Sequence, residues 1–143
     1  MKRALAIDEQ SYGPDHPDVA MGLNNVALLL KRTNRLKEAE PLYRRALAID
    51  EKSYGPDHPN VATRLNNLAS LIYSTSRMGE ADPLMKRAVE IFWKFTRDTG
   101  HEHPHLRDAI AAYASLLQEM GYSEQQVRAR LQEIAAEYGF SLG

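Results

Sequence analysis

One fifteen-residue phrase is written into this chain twice, at a fixed distance. Arg3-Ala4-Leu5-Ala6-Ile7-Asp8-Glu9-Gln10-Ser11-Tyr12-Gly13-Pro14-Asp15-His16-Pro17 returns 42 positions later as Arg45-Ala46-Leu47-Ala48-Ile49-Asp50-Glu51-Lys52-Ser53-Tyr54-Gly55-Pro56-Asp57-His58-Pro59. A constant period of this length is the mark of stacked, near-identical structural units. Stacked units contact mainly their neighbours and present an extended surface. That constrains both the fold and the kind of work such a chain can do.

The apolar residues between the copies have a helical spacing. Val19, Ala20, Leu23, Val26, Ala27 and Leu30 fall on one face, and Val61, Ala62, Leu65, Leu68, Ala69 and Ile72 repeat it. Leu36, Ala39, Leu42, Tyr43, Ala46, Leu47 and Ile49 define a second helix, answered by Ala81, Leu84, Met85, Ala88, Val89 and Ile91. No sustained two-residue alternation suggests a strand. Gly13-Pro14 and Gly55-Pro56 end helices, and Pro17 and Pro59 start new ones, where a missing N–H is harmless. Asp15 or His16 should cap the first of these starts, and Asp57 or His58 the second. Pro41 and Pro83 are expected in first turns, and Asn34 and Gly79 at the tight turn inside each pair.

The third unit drifts. Gly100-His101-Glu102-His103-Pro104 arrives three residues late, which predicts a longer helix before it. Ser123 and Gln126 have the spacing of a capping box. The helix after them, with Val127, Leu131, Ile134, Ala135 and Tyr138 among polar neighbours, reads as a terminal capping element. The expectation is a single all-α domain over 1–143 with seven helices. A partial helix spans 2–12, and pairs follow at 17–54, 59–98 and 104–138. The opening reads as a cut through a repeat, so two copies could cover its exposed apolar face and form a homodimer.

Composition narrows the function classes. Hydrophobic residues make up 43% of the 143, enough for a core. Basic and acidic side chains, 18 and 19, nearly cancel, which argues against a nucleic-acid partner. There is no cysteine. No apolar run approaches a membrane span, and no leader-like core follows Met1, so a cytoplasmic protein is expected.

The segments Asn24-Asn25-Val26-Ala27, Glu38-Ala39-Glu40-Pro41-Leu42-Tyr43, Arg45-Ala46-Leu47-Ala48-Ile49 and Gly55-Pro56-Asp57-His58-Pro59 resemble the tetratricopeptide repeat. The resemblance is to its 42-residue form in kinesin light chains, and it recurs at Asn66-Asn67-Leu68-Ala69 and Glu80-Ala81-Asp82-Pro83-Leu84. It covers about nine-tenths of the chain and weakens after Glu90, where Ala111-Ala112 replace the Asn pair. It implies a right-handed superhelix of antiparallel helices whose concave groove binds extended peptides. Motor cargo transport does not follow from the repeats alone.

Helical geometry turns a second face of each first helix toward such a groove. The candidate peptide-binding residues are Asn24, Asn25, Leu28, Lys31 and Arg32 in the first pair. In the second they are Thr63, Arg64, Asn66, Asn67, Ser70 and Tyr73. Asn amides can hold a peptide backbone, or can fix the stacking of neighbouring helices. The cations point to an acidic protein or peptide partner. A scaffold is therefore expected, with a structural spacer or self-association module as the alternative. No nucleophile–base pair, phosphate loop or cofactor motif suggests an enzyme. His101, His103 and His105 alternate as metal ligands sometimes do, but His103 matches His16 and His58 in the repeat, so a solvated loop is expected. Trp93, Phe92 and Phe95 are expected to pack inside.

Overall fold

The computed structural model describes residues 16–142. The expected helix at 2–12, and with it the surface suggested for a homodimer, lies outside them. Among the described residues there are six helices and no strand: α1 Pro17–Arg32, α2 Leu36–Tyr54, α3 Pro59–Ser74, α4 Met78–Thr99, α5 Leu106–Glu119 and α6 Glu124–Glu137. Each packs on the helix before and after it, and α6 also reaches back to α4.

The predicted apolar faces are the buried ones. Val19, Ala20 and Leu23 of α1 meet Ala46 and Ile49 of α2. A larger core runs from Val26 to Ala135 through every pair. Phe92 and Trp93 are buried and Phe95 is half-buried. Each large side chain so withdrawn from water contributes about 1.5–3 kcal/mol. Ala27, Ala39, Ala69, Ala81 and Ala88 are all fully buried, as close helix approach requires.

Imidazoles, not carboxylates, cap the first helices. Nδ1 of His16 accepts from the Asp18 N–H, and Nδ1 of His58 from the Asn60 N–H, both at 3.0 Å. Asp15 lies outside the described residues, and Asp57 instead pairs with Lys94 at 2.7 Å. His103 repeats the device on the His105 N–H at 3.1 Å, but there the chain makes one more turn and α5 starts at Leu106, two residues later than expected.

Two details differ from expectation. The tight turns carry a left-handed residue at Asn34, Ser76 and Gly121, so Ser76 and not Gly79 marks the second turn. Gly79 lies inside α4. Pro41 and Pro83 sit one turn deeper in α2 and α4 than expected, at exposed positions where the carbonyl that loses its bond can reach solvent.

Terminal helix α6 starts with the predicted capping box: the Gln126 N–H donates to Ser123 Oγ, and Gln126 Oε1 accepts from the Ser123 N–H. Arg130 anchors it to Asp82 of α4 at 3.3 Å, and Asp82 also accepts from the buried Tyr113 hydroxyl of α5. Burial, and secondarily Asp82, pushes the Tyr113 phenol far above its ordinary pKa.

Candidate functional site: a groove along α1, α3 and α5

The first helices of the three pairs are joined by side chains. Asn67 Nδ2 donates to Asn24 Oδ1 at 2.9 Å, linking α3 to α1. Lys31 Nζ donates to Ser70 Oγ at 2.7 Å on the same pair of helices. Glu119 of α5 lies near the Tyr73 hydroxyl of α3 and is the main reason the Tyr73 phenol is raised. The two hydrogen bonds and this proximity set α1, α3 and α5 side by side as one wall.

The candidate residues divide by what they do. Asn24 and Asn67 hold each other, so the stacking role applies to that pair. Asn25 and Arg32 are exposed, as are Leu28 and Tyr73, each 37% accessible. Lys31 is half-buried, and its ammonium makes no ion pair with a described residue; burial lowers its pKa. Thr63 donates to the Pro59 carbonyl at 3.3 Å. Arg64 turns toward α2, where Nε meets Asp50 Oδ2 at 2.7 Å. Its charge is therefore already matched inside the fold.

Thr63, Asn66, Asn67 and Ser70 come together on one side of a cavity of about 340 Å³. Met85 and Phe92 of α4 form its apolar part, and His105, Asp108 and Ala112 close the α5 side. Asn66 Oδ1 is buried with no hydrogen-bond partner among the described residues. Met85 and Phe92 escaped the sequence reading because their spacing marks them as core, which they also are. Asp50 escaped it because a carboxylate beside Leu47 and Ile49 looks like the polar edge of an amphipathic helix.

Among the described residues no group of three or more metal-ligating side chains is placed to hold an ion. His103 is occupied as a cap and packs 4.6 Å from the Phe92 ring and 4.9 Å from Phe95. Burial, and secondarily His105, lowers its pKa. No helix among the described residues is long and apolar enough to cross a membrane.

The tetratricopeptide repeat family matches residues 1–52 and 23–92, together more than half of the chain. This chain is a tetratricopeptide repeat protein. Several solved structures share its fold. The nearly identical TPR-like repeats of a Podosopora anserina protein described as a kinesin light chain are 23% identical, cover 95% of this chain and 63% of their own, and superpose with a TM-score of 0.77. A point variant of the same Podosopora anserina protein gives 22%, 99%, 65% and 0.77. BtubC (BKLC) from P. vanneervenii gives 26%, 99%, 57% and 0.76. The chain thus spans roughly three-fifths of the length of these structures. No curated protein matches it. The all-α superhelix and the kinesin light chain-like character of the repeats are as the sequence suggested, and the repeats are those of a protein-interaction module.

Proposed function

We propose that this tetratricopeptide repeat module binds an extended, acidic segment of another protein along the α1–α3–α5 wall. The observation that carries this reading is Lys31. The residue is half-buried, yet the group its ammonium bonds is the neutral hydroxyl of Ser70. A desolvated cation held only by a neutral group favours an incoming carboxylate, because an ion pair formed there is weakly screened by water. Arg32 adds exposed charge at the same helix end, and Asn25 offers amide groups to a peptide backbone. Leu28 and Tyr73 provide exposed apolar surface beside them.

Fluorescence anisotropy with labelled decapeptides carrying Asp or Glu at alternate positions tests the reading. Binding should weaken about tenfold in Lys31→Ala, equivalent to about 1.4 kcal/mol. It should also fall with added salt. A spacer module would bind none of the acidic peptides, and binding indifferent to Lys31 and Asn25 substitution would place the ligand elsewhere.

A further inference from the structure

The inter-helix amide bond is made once and then broken off. Asn24 Oδ1 accepts from Asn67 Nδ2. Asn66 stands 42 positions after Asn24 and so occupies the same acceptor place one unit on. The matching donor should come 45 positions after Asn67, the offset that carries His58 to His103, and that position is Ala112. Alanine has no amide to give. Asn66 Oδ1 is accordingly buried without a partner among the described residues, and Asn66 and Ala112 both line the cavity between α3 and α5.

A buried acceptor without a donor carries an uncompensated desolvation penalty. A ligand that brings a donor recovers that energy on binding. The rest of the cavity states what kind of donor fits. Met85 offers a small apolar surface for a methylene stem, with the buried Phe92 ring behind it. Asp108 lies on the α5 side, exposed, with no ion pair to a described residue.

We propose that this cavity is a subsite for a lysine or arginine side chain of the bound segment. Its stem lies against Met85, and its cationic head takes the donor place at Asn66 Oδ1, with the amide turning toward the cavity on binding, and faces Asp108. The inference deepens the groove reading above and rests on it for the physiological ligand. It gives the groove two unlike subsites that adjoin at Ser70: the Lys31 cation, which receives an acidic residue, and an acceptor pocket, which receives a basic one. A segment carrying both charges would bind in one direction only.

The test uses N-acetyl-lysine methylamide and N-acetyl-arginine methylamide as probes, with the norleucine analogue as control, in NMR titrations of the full chain. The cationic probes should saturate shifts of the Asn66 side-chain amide and the Ala112 backbone amide, and the norleucine probe should not. Ala112→Asn should supply the missing donor from inside and weaken the cationic probes at least tenfold. Asn66→Leu should do the same by removing the acceptor, should the first variant fold poorly. Equal shifts with norleucine, or unaltered binding in both variants, would overturn the subsite. If the acidic decapeptides fail while the cationic probes still bind here, the groove reading falls and the pocket stands; the reverse result rejects the pocket alone.

Discussion

Arg64 of α3 holds Asp50 of α2 across the boundary between two repeats, at 2.7 Å, with the Asp50 side chain 2% exposed and the Arg64 side chain 15% exposed. The pair joins one helical hairpin to the next through charge where the surrounding contacts are apolar. Removing one partner strands the other in a poorly hydrated place. Arg64→Ala should lower the unfolding free energy by about 3–5 kcal/mol. The double variant Asp50→Leu/Arg64→Met should recover most of that loss. Urea unfolding followed by circular dichroism measures both; a cost near zero for the single variant would show the pair to be idle.

The amide link between Asn24 and Asn67 should be worth less. Each has part of its surface in solvent, so a lost bond can be replaced by water. Asn67→Ala should cost about 1 kcal/mol. A double-mutant cycle with Asn24→Ala should give coupling of similar size. Additive losses would mean that the two amides do not act together.

His103 makes stability depend on pH. Its folded pKa lies below the ordinary histidine value, because burial against Phe92 and Phe95 disfavours the cation, and His105 beside it adds to the effect. The unfolded chain therefore takes up a proton first as pH falls. The contribution is fully present above about pH 6.5 and is lost as pH drops from there through the depressed folded pKa. Protonation would also end the Nδ1 acceptance from the His105 N–H. Melting temperature should decline on this acid limb, and His103→Asn, which keeps an acceptor, should flatten the decline. An unchanged slope in that variant would assign the acid sensitivity to other groups.

Two glycines should respond in opposite ways to alanine. Gly55 ends α2 with φ +88 and ψ 164, a conformation that side chains resist. Gly55→Ala should cost about 1–3 kcal/mol. Gly79 sits in the first turn of α4, and a Cβ there meets nothing within 4 Å. Gly79→Ala should stabilise by roughly 0.4–1 kcal/mol. Thermal denaturation of the two single variants decides the signs.

The period and the apolar spacing made the helical pairs legible from sequence: the faces read between residues 19 and 91 are buried or half-buried, with Leu36, Leu42 and Leu84 at the edge of the core. What stayed hidden was the pairing of polar side chains. Asn24, Asn25, Asn66 and Asn67 are identical in type, yet only Asn24 and Asn67 bond to each other, because only those two face each other across α1 and α3. Arg64 looked like a groove cation because its helical angle lies beside that face, but its long side chain swings back to a carboxylate. The cavity was illegible for a different reason. It draws on α3, α4 and α5 at once, and Ala112 lines it where the first two units carry Asn25 and Asn67.

The three residues gained before His103 lengthen a helix and not a loop. α4 has 22 residues where α2 has 19. The added length lies at the end of α4, where Thr96 Oγ1 accepts from the His103 N–H at 3.2 Å and ties the following segment back to the helix. The extra chain is taken up as hydrogen-bonded helix, so the stack absorbs a change of period without a loose insertion.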